Sequence, residues 1–82
     1  MERAKPVRRY ISELLQVYQD ITRKTCTEMV LDFDITLSNL YHYRNGTGNP
    51  TADTIDKIVS GVEQNCPQAF EAVSLLNPDN DP

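Results

Sequence analysis

TCTEMVLDFDITLSNLYHYRNGTGNPTADTIDKIVSGV, residues 25–62, is the segment that decides the fold of this 82-residue chain. It opens with a Thr-x-x-Glu capping box at Thr25 and Glu28, in which each side chain bonds a backbone N–H that the first turn of a helix leaves without a partner. Further on, Asn45-Gly46 is typical of a helix end, and Pro50 closes a loop before another apolar run. This order predicts three short helices with almost no linker between them.

The first two of these helices are predicted at about Cys26–Phe33 and Leu37–Asn45, joined by a tight turn. Asp34 stands in the turn, where an aspartate accepts left-handed backbone more readily than most residues. We expect Ile35 to fill the space beneath the turn. We expect Thr36 to cap the second helix.

Helices are also predicted on both sides of this pair. Pro6 suits the first turn of a helix that ends near Asp20, with an apolar face of Val7, Ile11, Leu14 and Tyr18. Thr51 or Asp53 caps the helix after Pro50, whose apolar face is Ile55, Ile58, Val59 and Val62. A fifth helix begins at Asn65 and Pro67 and carries Phe70, Val73, Leu75 and Leu76. With no convincing strand, the predicted fold class is all-α, with five short helices.

The chain is long enough for one domain, near the lower size limit for an independent core. We expect residues 6–76 to form that domain. Residues 1–5 are predicted to be a flexible basic arm, and residues 77–82 a disordered acidic tail.

Charge is distributed unevenly along the chain. Residues 1–24 hold six basic and three acidic side chains, a net charge of +3, whereas residues 25–82 hold two basic and nine acidic ones, a net charge of −7. The total of −4 is unusual for a protein that binds nucleic acid. The sign of the surface that meets the phosphates matters more than the total, because salt screens charges beyond about 8 Å.

The sequence lacks the features that mark several functional classes. Cys26 and Cys66 have no Cys-x-x-Cys spacing and His42 is the one histidine, so we expect no metal site and no cofactor. There is no phosphate-binding loop or nucleophile triad, which argues against an enzyme. No apolar stretch is long enough to span a membrane, and the charged N-terminus does not read as a secretory signal. Two free thiols are typical of a reducing cytoplasm, so a cytoplasmic protein is expected.

Residues 25–62 resemble the helix-turn-helix core of the phage Cro and lambda-repressor-like (Xre-type) transcription regulators. Ile35 and Leu40 match the two apolar positions that flank the reading helix, and Asn45-Gly46 with Asn49-Pro50 matches the loop and its spacing. The chain departs from the family in four places: Lys24 replaces the apolar residue that usually precedes the cap, Cys26 a common glutamine, Val30 a small alanine and Asp34 the glycine of the turn.

The resemblance implies double-stranded DNA as the partner and assigns contacts to individual residues. Residues expected to face bases in the major groove are Leu37, Ser38, Asn39 and His42. Residues expected to face phosphates are Thr25, Cys26 (through its N–H), Tyr41, Arg44, Asn45, Thr47 and Asn49. The chemistry is compatible, since a helix fits the major groove and an asparagine can form two hydrogen bonds to adenine.

Two functional hypotheses follow. The first is a phage or bacterial transcriptional regulator, repressing or activating, that binds a pseudo-palindromic operator as a homodimer. The second is a protein-interaction module that keeps the fold without binding DNA, such as an antirepressor, an antitoxin-like partner or a phage inhibitor. The acidic C-terminal part favours the second, because Asp32 and Asp34 are expected close to the groove-facing surface.

Some residues have two interpretations at this point. Phe70, Val73 and Leu76 either form a dimer contact, which we favour, or complete the monomer core. Arg8 and Arg9 either bind phosphate or keep the outer face of the first helix soluble. For Arg44, a phosphate contact is favoured over a salt bridge. A regulatory protein partner is a further expectation, since no ligand domain is predicted.

Overall fold

The computed structural model describes residues 6–73, and this part of the chain is helical with no strand. Its five helices are α1 (Val7–Thr22), α2 (Cys26–Phe33), α3 (Leu37–Arg44), α4 (Ala52–Asn65) and α5 (Gln68–Ala72). The prediction of an all-α chain with five helices is therefore confirmed. The predicted arm at 1–5, the tail at 77–82 and the expected helical residues Leu75 and Leu76 lie outside the described residues.

Threonine caps fix where three of the helices begin. The Thr25 hydroxyl accepts from the Glu28 N–H at 3.2 Å and the Glu28 carboxylate accepts from the Thr25 N–H at 2.8 Å, so the predicted capping box is confirmed. Thr36 caps α3 as predicted, and Thr51 rather than Asp53 caps α4. These bonds satisfy N–H groups that the first turn of each helix leaves free.

Left-handed residues end helices where the sequence indicated a stop. Asp34 follows α2 with φ 57°, and Gly46 follows the end of α3 with φ 83°, as predicted. The prediction for α1 was wrong by two residues, because Arg23 is the left-handed residue there and α1 continues to Thr22. The last helix is shorter than expected: α5 ends at Ala72, and Val73 is extended.

The core is a single cluster to which α1, α2 and α4 each contribute two or more side chains and the short helices α3 and α5 one each. Its members are Ile11, Leu14, Leu15, Tyr18, Cys26, Met29, Phe33, Leu40, Ile58, Val62, Cys66, Ala69 and Val73. Helix α1 packs against α3, α4 and α5, and α2 packs against α3 and α4. The expected apolar face of α1 needs one correction: Leu15 is fully buried, whereas Val7 is 54% exposed at the first turn, ahead of the region where α3 and α4 cover the helix.

Helices α2 and α4 approach most closely at Gly61. A Cβ atom built there would lie 2.8 Å from the Asp32 carbonyl oxygen and 2.7 Å from Cε1 of the Phe33 ring. Because real Cβ atoms do not come so close, only glycine fits this crossing. Within residues 6–73, no helix combines the length and apolar character needed to cross a membrane.

Candidate nucleic-acid interface

The four residues expected to read bases lie on the outer side of α3. Ser38, Asn39 and His42 are exposed on the side away from the completely buried Leu40, and Leu37, three residues before Leu40, lies at the edge of this side and is 38% exposed. A short helix with one buried anchor and a solvent-facing polar side can enter a groove without unfolding. The four side chains are therefore accessible from solvent, as contact with base edges would require.

The predicted phosphate contacts divide into accessible and inaccessible groups. Thr25, Asn45, Thr47 and Asn49 are exposed, and Tyr41 is 45% exposed on α3. Cys26 is buried, and its Sγ lies 3.7 Å from the Gln19 amide. Its side chain therefore offers nothing to DNA, although as the first residue of α2 its N–H stands outside the helix's own hydrogen bonds.

Thr47 acts on α3 rather than standing free in the loop. Its hydroxyl donates to the His42 carbonyl at 3.0 Å, and the same oxygen lies 3.4 Å from His42 Nδ1. Thr47 thus orients the His42 ring, a role that the sequence did not indicate.

Three polar side chains of α1 form hydrogen bonds with the C-terminal end of α3. The Arg44 carbonyl accepts from Ser12 Oγ at 2.6 Å and from Gln16 Nε2 at 3.0 Å. The Arg44 side chain donates from Nε to Gln19 Oε1 at 2.8 Å. Arg44 is half-buried by these contacts, so only the outer end of its guanidinium remains for a phosphate.

Gln19 also connects α1 to the beginning of α2. Its amide nitrogen donates to the Lys24 carbonyl at 3.2 Å, so one side chain joins the end of α3 to the loop that leads into α2. Sequence reasoning missed Gln19 and Ser12. A signal for Ser12 existed, since this serine lies beside Ile11 on the apolar side of α1 and a buried hydroxyl needs a partner.

Asp32 is directed towards α1, whereas we expected it close to the surface that would face a DNA groove. Its Oδ2 accepts from the Tyr18 hydroxyl at 2.6 Å and lies 2.7 Å from Lys24 Nζ, which places it against α1. Burial, and then the Asp32 carboxylate, raise the pKa of the Tyr18 phenol well above its ordinary value. Asp34 is exposed, with Lys57 Nζ 3.8 Å from its carboxylate.

The expected dimer residues belong to the fold of the single chain as far as they are described. Val73 is buried in the core and Phe70 is half-buried against it, so both side chains pack within the single chain. For Val73 the monomer-core interpretation is correct, because this residue at the end of α5 is buried within the single chain and α5 packs on α1. Leu76 lies outside the described residues.

Among the residues described, no three histidine, cysteine, aspartate or glutamate side chains come together as metal ligands. No protein-family model, curated protein or solved structure matches this chain.

Proposed function

We propose that this chain is a sequence-specific DNA-binding transcriptional regulator that reads the major groove with α3 and binds a pseudo-palindromic operator as a homodimer. The proposal rests first on the resemblance of residues 25–62 to the Cro and lambda-repressor-like regulators. The capped entry to α2 and the capped entry to α3 also direct free N–H groups outward, which suits phosphate binding.

The observation that carries the proposal is the exposed polar side of α3 on a helix held at both ends. Ser38, Asn39 and His42 face solvent, while Leu40 is buried and the Arg44 carbonyl is bonded to α1. Ser and Asn are poor choices for a solvated helix unless they serve a purpose. Contact with base edges supplies one, since asparagine can bond both N6 and N7 of adenine.

The negative charge of residues 25–82 opposes DNA binding less than the number of carboxylates suggests. Asp32, one of the two carboxylates expected near the groove, is paired with Lys24 and Tyr18. Affinity should therefore be modest and strongly dependent on salt, as expected when few phosphates are contacted.

A fluorescence-anisotropy titration on random-sequence duplex DNA at several salt concentrations tests the proposal. We expect log affinity to fall linearly with log salt. Selection from a random DNA pool then yields a consensus, and Asn39→Ala should relax the preference at one base position at a cost of about 1–3 kcal/mol. Gln64→Ala, which removes an exposed amide from α4, is the matched control and should leave the consensus unchanged. Unchanged base preference in Asn39→Ala would remove Asn39 from the reading surface.

A protein-interaction module is the second candidate, and one observation favours it. Leu31 on α2 is 83% exposed, an unusual place for a leucine on so small a protein. Together with the net charge of −7 after residue 24, this suits a surface that binds a protein. Absence of DNA binding at low salt would favour this candidate over the first.

A further inference from the structure

An open groove of about 300 Å³ lies between the first turn of α1 and the loop that follows α3. Its walls are Pro6, Val7 and Arg8 on one side and Asn49, Pro50 and Ile55 on the other. The groove accounts for the exposure of Val7, which forms part of its wall instead of entering the core. It also brings a cation of α1 next to the loop expected to meet phosphate.

Arg8 is the one charged residue among the residues that line this groove. The structure gives its guanidinium no hydrogen bond or ion pair with any of residues 6–73, and the side chain is exposed. An arginine without such partners keeps all its N–H donors available for an anion, and its planar guanidinium group suits phosphate oxygens.

The neighbouring groove differs in charge. It lies between α1 and Asn45-Gly46, and Arg8 borders it too, but Arg9 and Glu13 also line it. Arg9 Nε lies 3.2 Å from Glu13 Oε2, so a carboxylate there offsets the arginine and would repel an anion. Of the two grooves, the one beside Asn49 is the better site for a phosphate.

We propose that Arg8 and Asn49 together bind one phosphodiester group of the DNA backbone, with the deoxyribose carbons packed on Val7 and Pro50. This rests on the proposed function and extends the phosphate-binding surface from the loop after α3 to α1. It also identifies where the cation comes from in an acidic protein, because the loop itself carries none between Asn45 and Thr51. The contact fixes orientation on the duplex and adds no base preference.

The test compares Arg8→Gln with Arg9→Gln by anisotropy on random-sequence duplex DNA over a range of salt concentrations. Both variants remove one positive charge from adjacent positions in the same helical turn, so their long-range electrostatic effects are nearly equal. The control is stringent, because Arg9→Gln also removes the ion pair between Arg9 and Glu13, whereas Arg8→Gln leaves it intact. We expect Arg8→Gln to weaken binding on the order of tenfold at low salt and to lower the salt slope by about 0.9, with a clearly smaller loss in Arg9→Gln.

A double-mutant cycle with Asn49→Ala tests whether the two residues share one phosphate. If they do, the losses in Arg8→Gln and Asn49→Ala should not add in the double variant. Additive losses, or equal losses in Arg8→Gln and Arg9→Gln, would overturn the inference while leaving the proposed function intact. If the wild-type chain binds no DNA at any salt concentration, the proposed function fails and the inference fails with it. Thermal melting should be unchanged in Arg8→Gln, because the side chain makes no hydrogen bond or ion pair with the described residues, 6–73.

Discussion

Tyr18 combines a completely buried ring with a hydroxyl that reaches the half-buried carboxylate of Asp32. The ring packs against Phe33 with centroids 4.9 Å apart, and Lys24 Nζ lies 5.9 Å from the Tyr18 centroid. Lys24 and Tyr18 therefore share one carboxylate oxygen between α1 and α2. This cluster holds α2 against α1.

The raised pKa of Tyr18 predicts a loss of stability in alkaline solution. The unfolded chain releases this proton near pH 10 and the folded chain holds it longer, so the contribution is complete below about pH 10 and declines above it. We expect the free energy of unfolding to fall by about 1.4 kcal/mol per pH unit from this residue alone. Urea denaturation between pH 9 and 11 should show a shallower decline in Tyr18→Phe.

Tyr41→Phe is the control for that measurement, since the Tyr41 phenol is exposed. It should follow the wild-type curve at every pH. At neutral pH, Tyr18→Phe should lose about 1–2 kcal/mol, because Asp32 keeps Lys24 but loses a hydrogen bond. A Tyr18→Phe curve parallel to the wild type above pH 10 would contradict the assignment.

Which residues could be predicted from the sequence depends on how far away their partners lie. The caps at Thr25 and Thr36 were predictable because each bonds a backbone group three residues on. Ser12 and Gln19 were not, because their partner Arg44 is 32 and 25 residues away and only the packing of α1 on α3 joins them. The sequence also could not indicate that Cys26 is covered by Gln19 or that Asp32 faces α1.

At the scale of helices, the α2–α4 crossing depends on the missing side chain of Gly61. The nearest atoms include backbone, so a methyl group there cannot be accommodated by a rotamer change alone. Because α3 follows α2 after the short turn at Asp34, a displaced α2 would also displace α3.

Gly61→Ala should therefore destabilise the protein although alanine favours a helix. Overpacking of a dense core costs about 1–3 kcal/mol or more, and the gain in helix propensity recovers at most about 1 kcal/mol. We expect a net loss of about 2 kcal/mol in chemical denaturation. Ser60→Ala, at an exposed position one residue earlier, should be neutral or slightly stabilising. An equal gain in stability in Gly61→Ala and Ser60→Ala would show that a methyl group fits between α2 and α4.

The helix ends that were mispredicted show where local signals fail. Thr22 extends α1 past Asp20 because its hydroxyl bonds the Tyr18 carbonyl and Arg23 then adopts the left-handed conformation that stops the helix. Arginine gives no sequence cue for that role, unlike the glycine at 46. In the same way, the apolar spacing of Phe70 and Val73 suggested a longer helix, but Val73 reaches the core in an extended conformation.

At the scale of the molecule, DNA binding by a chain of charge −4 requires that its acidic side lie away from the phosphates. The protein measures 40 × 24 × 18 Å, so even its shortest dimension exceeds the screening length of about 8 Å at physiological salt. Glu63 is near the end of α4, roughly 18 Å along the helix axis from its start beside the loop. Glu71 is on α5, the helix that follows α4, and both side chains are exposed.

Neutralising Glu63 and Glu71 should consequently affect DNA binding only when screening is weak. At 0.01 M salt the screening length is about 30 Å, and Glu63→Gln/Glu71→Gln should raise affinity on the order of threefold for every sequence alike. At 0.15 M salt the same variant should match the wild type, and its selected consensus should be unchanged. Anisotropy titrations at the two salt concentrations measure this. A gain of equal size at both would place these carboxylates next to the DNA and α4 or α5 on the binding surface.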